Sequence, residues 1–145
     1  AFVREKGYGT PIIAGHSMGG MSVLGIAARY PHLVKSVISF NGSGDWLLSH
    51  LFMQARFGID AGRNWPLYET LQHEQPMSHI KEMKSIPIFL TNGENDISVD
   101  PRAQAHFFES LKADGGDVTR ITYPRLGHFV TTNMLDDALK WLGDK

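Results

Sequence analysis

The chain has 145 residues, of which 42% are hydrophobic and 20% charged, so its length and composition predict one globular domain with a sizeable core. Its formal net charge of −1 gives no reason to expect a nucleic acid or an anionic membrane as a partner, and no apolar run approaches the length of a membrane span. The absence of cysteine excludes disulfides and thiolate metal sites.

Strands alternate with helices along the predicted chain. Residues 1–6 are typical of the end of a helix, with Gly7 as its left-handed cap. Strands are predicted at residues 10–14, 34–40, 86–91 and 118–123, and helices at 17–30, 101–113 and 133–142. The first strand is expected to be buried on both faces, and the last helix to turn inward Leu135, Ala138, Leu139 and Leu142. This alternation predicts the α/β class, a three-layer α/β/α sandwich with a mostly parallel sheet.

The segment between the second and third strands is irregular and rich in aromatic residues. We expect a single domain spanning residues 1–145, with a cap-like helical insertion at about residues 45–79. Asp45 and Asn64 are suited to cap two helices in this insertion, with Pro66 soon after the second start. Its apolar side chains either belong to the core or form an acyl pocket over the active site.

The stretch Gly15-His16-Ser17-Met18-Gly19-Gly20 lies between an apolar strand and a helix of small residues. We expect a sharp turn there, in which side chains at Gly15 and Gly19 would collide with neighbouring backbone. Such a turn holds the Ser17 hydroxyl clear of the sheet at a helix N-terminus, where the Met18 N–H can donate to a developing oxyanion. The alternative is a glycine-rich turn with an idle serine.

A serine nucleophile needs a base, and that base needs an orienting acid. Asp96 follows the third predicted strand and His128 the fourth, so both are expected at the edge of the sheet where Ser17 lies. Asp100 competes with Asp96, although its position before Pro101 is explained by a helix cap, and Glu94 is expected in a solvated turn. The other histidines are not favoured as the base, because His16 is expected to point away from the base's position and the rest to be surface residues: His32, His50, His73, His79 and His106.

Three stretches of the chain resemble the signature regions of α/β-hydrolases: Gly15–Gly20, Gly93–Val99 and Gly127–Phe129. The likeness extends to small bacterial carboxylesterases related to dienelactone hydrolase and to the prolyl-oligopeptidase catalytic domain. Met18-Gly19-Gly20-Met21 and Asn41-Gly42-Ser43-Gly44 add to it.

The resemblance implies a serine esterase that acts on a small-molecule ester. Its catalytic residues would be Ser17, Asp96 and His128, its oxyanion hole would include Met18, and it would need no cofactor or metal. A peptidase or acyltransferase of the same fold, or a non-catalytic interaction module, remains an alternative.

The resemblance covers only the later half of the family's fold, since the predicted strands correspond to its fifth through eighth. The earlier half carries the second oxyanion donor. We therefore expect an exposed apolar edge at residues 10–14, which either pairs with a missing half or mediates association, and little activity from this chain alone. No signal-peptide pattern is visible, and a cytoplasmic location is the expectation.

Overall fold

A computed structural model describes residues 2–58 and 68–145. They include a sheet of four parallel strands. In chain order the strands are β1 (Ile12–His16), β2 (Ser36–Phe40), β3 (Ile88–Gly93) and β4 (Val118–Tyr123). Their spatial order is β1-β2-β3-β4, with Ile13 opposite Val37, Val37 opposite Ile88, and Ile88 opposite Val118. The carboxyl ends of all these strands therefore meet at one edge of the sheet.

Helices connect and cover the strands. They are α1 (Phe2–Glu5), α2 (Met18–Arg29), α3 (Trp46–Phe57), α4 (Tyr68–Glu74), α5 (Ile80–Met83), α6 (Pro101–Ala113) and α7 (Thr132–Gly143). Short 3-10 helices occupy Pro31–Leu33 and Pro76–His79. None of the helices in the described part of the chain is long and apolar enough to cross a membrane.

Two hydrophobic clusters lie on opposite faces of the sheet. On one face Val37, Ile88 and Leu90 pack beneath α2, α5 and α6. On the other face Ile38 and Phe89 pack against α7. Because successive strand residues point to opposite faces, a run of apolar residues fills both cores at once. The predicted three-layer α/β/α class is confirmed.

Strand β1 departs from its predicted burial. It begins two residues later than predicted, and its residues alternate between exposed and half-buried instead of being buried on both faces. The reason is that β1 is an edge strand whose neighbour, within the described residues, is β2 alone. Ile12 is consequently 42% exposed. The expected exposed apolar edge is therefore present.

Helix α7 is turned differently about its axis than predicted. Met134, Ala138 and Trp141 form its buried stripe, whereas Leu135 is 47% and Leu139 66% exposed. The expectation that these two leucines face inward is wrong. The indole of Trp141 lies 5.3 Å from the Phe89 ring, so the helix turns its largest side chains toward the sheet.

The predicted helix caps are present where the structure describes them. The Asp45 carboxylate accepts a hydrogen bond from the Leu48 N–H at 2.9 Å at the start of α3. Asp100 accepts from the Arg102 N–H at 2.9 Å at the start of α6. The predicted cap Asn64 and the following Pro66 lie outside the described residues.

Because β1 pairs with β2 alone among the described residues, we propose that the 145-residue chain self-associates through the other edge of β1. We expect Ile12→Lys to shift sedimentation toward the monomer, because a charged side chain on an edge strand opposes pairing with another strand. Ile26→Lys is the control, since Ile26 is 46% exposed but lies on α2. A cooperatively folded monomer without any substitution would contradict the prediction.

Candidate active site

The turn from β1 to α2 is sharp and strained at its serine. Ser17 has a φ of 57° and a ψ of −122°, a left-handed conformation that is rare for a residue with a side chain. A Cβ on Gly15 would lie 2.3 Å from the Gly19 carbonyl oxygen, so glycine is required there. At Gly19 a Cβ would meet nothing within 4 Å, so the predicted collision at that position is wrong. The second close approach falls instead at Gly20, where a Cβ would lie 2.8 Å from the Ser39 hydroxyl oxygen.

Ser17, His128 and Asp96 form a continuous chain of hydrogen bonds. The Ser17 Oγ lies 2.7 Å from the His128 Nε2, and the His128 Nδ1 lies 2.7 Å from the Asp96 Oδ2. The Asp96 side chain is fully buried, whereas that of His128 is 19% exposed. The structure thus brings together the three predicted residues, each from the loop after a different parallel strand.

Backbone groups fix the orientation of the Asp96 carboxylate. Its Oδ1 accepts hydrogen bonds from the N–H groups of Ser98 at 2.8 Å and Val99 at 3.0 Å, which leaves Oδ2 for His128. Because an ionised carboxylate only accepts, the His128 Nδ1 must carry the proton in this bond. In the neutral imidazole with its proton on Nδ1, Nε2 can accept the Ser17 hydroxyl proton.

The competing acids have other partners. The Asp100 carboxylate caps α6 and forms an ion pair with the Arg102 guanidinium at 2.7 Å. That side-chain hydrogen bond is the largest of the effects that hold the pKa of Asp100 below its ordinary value. Glu94 is exposed and accepts from the Arg125 N–H at 3.1 Å.

Two histidines lie nearer the site than predicted. The ring of His16 is 4.9 Å from that of His128 between centroids, so the expectation that it points away is wrong. Partial burial lowers the pKa of His16, and the neighbouring His128 lowers it further against an opposing effect of Asp96. His50 is half-buried in the pocket described below, so it is not a simple surface residue.

A pocket of about 430 Å³ opens beside the serine hydroxyl. Its apolar side chains come from the helices α2, α3 and α4 and from the loop after β3: Met18, Met21, Trp46, Met53, Leu71 and Val99. Polar side chains complete the lining: Ser17, Ser22, Ser49, His50 and Ser98. The cavity beside the serine hydroxyl is therefore largely apolar and rich in methionine.

Asn41 is a site residue that the sequence analysis did not assign a role. Its side chain lies between the loop that carries Asp96 and the loop that carries His128, and its amide donates to the Phe129 carbonyl at 2.9 Å. The available signal was an Asn-Gly pair directly after a strand, at the edge where the other site residues lie.

Comparisons with known proteins identify a matching protein family and a similar esterase. A model of the prolyl oligopeptidase family matches residues 9–143. Esterase YjfP of Escherichia coli (strain K12) is 29% identical over 133 residues, which are 88% of this chain and 53% of the esterase. The chain thus spans about half the length of that esterase.

Solved structures show the same architecture. Acylaminoacyl peptidase of Pyrococcus horikoshii has a TM-score of 0.73 at 26% identity, covering 88% of this chain and 22% of the peptidase. TT1662 from Thermus thermophilus has a TM-score of 0.76 at 20% identity, covering 98% of this chain and 56% of that protein. The second likeness concerns the fold alone.

Proposed function

Because this chain belongs to the prolyl oligopeptidase family, we propose that it carries the nucleophile, base and acid of a serine hydrolase that cleaves carboxylic esters. The resemblance to α/β-hydrolases that the three sequence motifs indicate is confirmed by this family match and by the structural neighbours. The observation that carries the proposal is the Ser17–His128–Asp96 hydrogen-bond chain, with 2.7 Å at each link.

The geometry supports a two-step acyl transfer. His128 Nε2 takes the Ser17 hydroxyl proton while Oγ attacks the ester carbonyl, and the imidazolium then gives that proton to the leaving alkoxide. The Asp96 carboxylate, hydrogen-bonded to His128 Nδ1, stabilises the imidazolium. His128 Nε2 then takes a proton from a water molecule as its oxygen attacks the acyl carbonyl, and the imidazolium returns that proton to Ser17 Oγ as the acyl–Oγ bond breaks. This releases the carboxylic acid and restores the Ser17 hydroxyl.

The Met18 N–H is proposed as an oxyanion donor. Met18 is the first residue of α2, so its N–H is one of the groups at a helix N-terminus that have no partner within the helix. The partial positive charge at that end of α2 also favours a developing oxyanion.

The pocket beside Ser17 is proposed to bind the acyl group. Its lining is predominantly apolar, and methionine side chains at Met18, Met21 and Met53 can adapt to acyl groups of different shape.

A peptidase is the second candidate, because the acylaminoacyl peptidase shares 26% identity with this chain.

The test uses the natural polypeptide that contains these residues. We expect a burst of roughly one equivalent of p-nitrophenol from p-nitrophenyl acetate, as an acyl-enzyme forms faster than it hydrolyses. A fluorophosphonate probe should label the peptide that contains Ser17. An N-acetylated amino-acid p-nitroanilide serves as the comparison substrate, and its faster turnover would favour the peptidase. Absence of both burst and labelling would favour a non-catalytic module and overturn the proposal.

A further inference from the structure

Asn41 lies in a strained and buried position where β2 ends. Its side chain and backbone are fully buried, and its φ is 50°, in the left-handed region. Asparagine tolerates this conformation better than most residues with a side chain, yet the conformation still costs free energy. A strained backbone at the edge that carries the candidate site indicates that the surrounding contacts hold this residue in place.

The Asn41 side chain contacts both loops that carry the candidate acid and base. Its Oδ1 accepts from the Gly93 N–H at 3.1 Å, and its Nδ2 donates to the Phe129 carbonyl at 2.9 Å. Gly93 is the last residue of β3, and the Asp96 N–H donates to the Gly93 carbonyl at 3.3 Å. Phe129 directly follows His128. One amide therefore joins the start of the acid loop to the backbone beside the base.

The two loops are also packed directly against each other. The Asn95 N–H donates to the Leu126 carbonyl at 2.8 Å. A Cβ on Gly93 would lie 2.3 Å from the carbonyl oxygens of both Leu126 and Gly127. Since the loops touch along their backbones, a group that fixes one of them relative to β2 fixes the other as well.

We propose that Asn41 is a positioning residue that sets the separation and orientation of the His128 imidazole relative to the Asp96 carboxylate. The inference rests on the proposed function for its effect on catalysis. Asn41 does not touch the reacting atoms; it acts through the backbones of Gly93 and Phe129. An amide suits this position because it offers a donor and an acceptor without a charge, so both backbone groups are satisfied in a buried site.

The experiment compares two buried asparagines. Asn41→Gly removes the amide, and glycine adopts a φ of 50° without strain. Asn92→Gly is the matched control, since Asn92 is 1% exposed and its amide, within the described residues, donates to the Gly93 carbonyl and accepts from the Thr122 hydroxyl instead of reaching the His128 loop. Both are made in the natural polypeptide, with folding checked by circular dichroism.

We expect Asn41→Gly to lower kcat by about 100-fold, because a small misplacement of a catalytic group has an effect of that order. KM should change by less than about threefold, since the acyl pocket is untouched, and Asn92→Gly should keep kcat within about threefold of the parent. The far-downfield proton resonance of the His128 Nδ1–H should shift or broaden in Asn41→Gly and persist in Asn92→Gly. If Asn41→Gly does not fold, Asn41→Asp is measured instead, because an ionised carboxylate can accept from the Gly93 N–H but cannot donate to the Phe129 carbonyl. The same loss of kcat and the same change in the resonance are expected of it, and an unchanged kcat and resonance would overturn the positioning role.

These readouts separate the two proposals. If the unsubstituted polypeptide shows the downfield proton but no burst, the proposed esterase activity is contradicted. The resonance in Asn41→Gly would still decide the role of Asn41. An unchanged kcat and resonance in Asn41→Gly would overturn the positioning role. An equal loss of kcat and of the resonance in Asn92→Gly would also overturn the positioning role, because the effect would then be general destabilisation.

Discussion

Alanine at Ser17 is expected to lower kcat for ester hydrolysis by about 10⁶-fold, equivalent to about 8 kcal/mol of lost transition-state stabilisation. Ser17 Oγ is the hydroxyl that lies 2.7 Å from the His128 Nε2, and its strained φ of 57° holds it at the N-terminus of α2. Alanine removes the attacking atom and the proton that the base accepts. Substrate should still bind, because most of the pocket lining is unchanged.

His128→Ala should have an effect of similar size, and the double variant should be little worse than either single one, because the residues act as a unit. Ser110→Ala and His79→Ala are the controls, since neither residue lines the pocket beside Ser17. The measurement is kcat on p-nitrophenyl acetate together with fluorophosphonate labelling. Turnover by Ser17→Ala above about 1% of the parent would show that another group attacks, given the expected 10⁶-fold loss.

The coarse fold and the positions of the candidate residues were accessible from local sequence patterns. Short apolar runs followed by polar loops identify parallel strands, and parallel strands place their carboxyl ends at one edge. Ser17, Asp96 and His128 each follow such a run, so their proximity could be expected without knowing any distance. The prolyl oligopeptidase family model matches residues 9–143, a range that contains these three residues.

Other features depend on contacts that a local pattern does not contain. Asn41 bonds to Phe129, which is 88 positions away in the chain, and nothing in the Asn-Gly pair specifies that partner. The periodicity of α7 allows more than one inward face, and packing of Trp141 on Phe89 selects the one that leaves Leu135 and Leu139 exposed. Whether β1 is buried could not be judged from its own residues, because its burial depends on how many strands flank it.

Asp96→Asn is expected to lower kcat by about 10⁴-fold while leaving the fold intact. The reason lies in the two backbone N–H groups of Ser98 and Val99, which both donate to Oδ1. An asparagine must keep its carbonyl oxygen toward these donors, so its NH₂ group replaces Oδ2 and faces the His128 Nδ1. The Nδ1 must then accept, which places the proton on Nε2, where it blocks acceptance of the Ser17 proton.

Asp100→Asn separates this effect from a general loss of charge near the site. Asp100 lies four residues further along the chain, but its carboxylate caps α6 and pairs with Arg102 instead of the imidazole. We expect Asp100→Asn to keep kcat within about threefold of the parent, since N-cap asparagine is nearly equivalent to aspartate. Equal losses in the two variants would contradict the assignment of Asp96 as the orienting acid. A loss confined to Asp96→Asn, with the far-downfield Nδ1 proton absent, would support the tautomer explanation, because the imidazole would then be present but protonated on the wrong nitrogen.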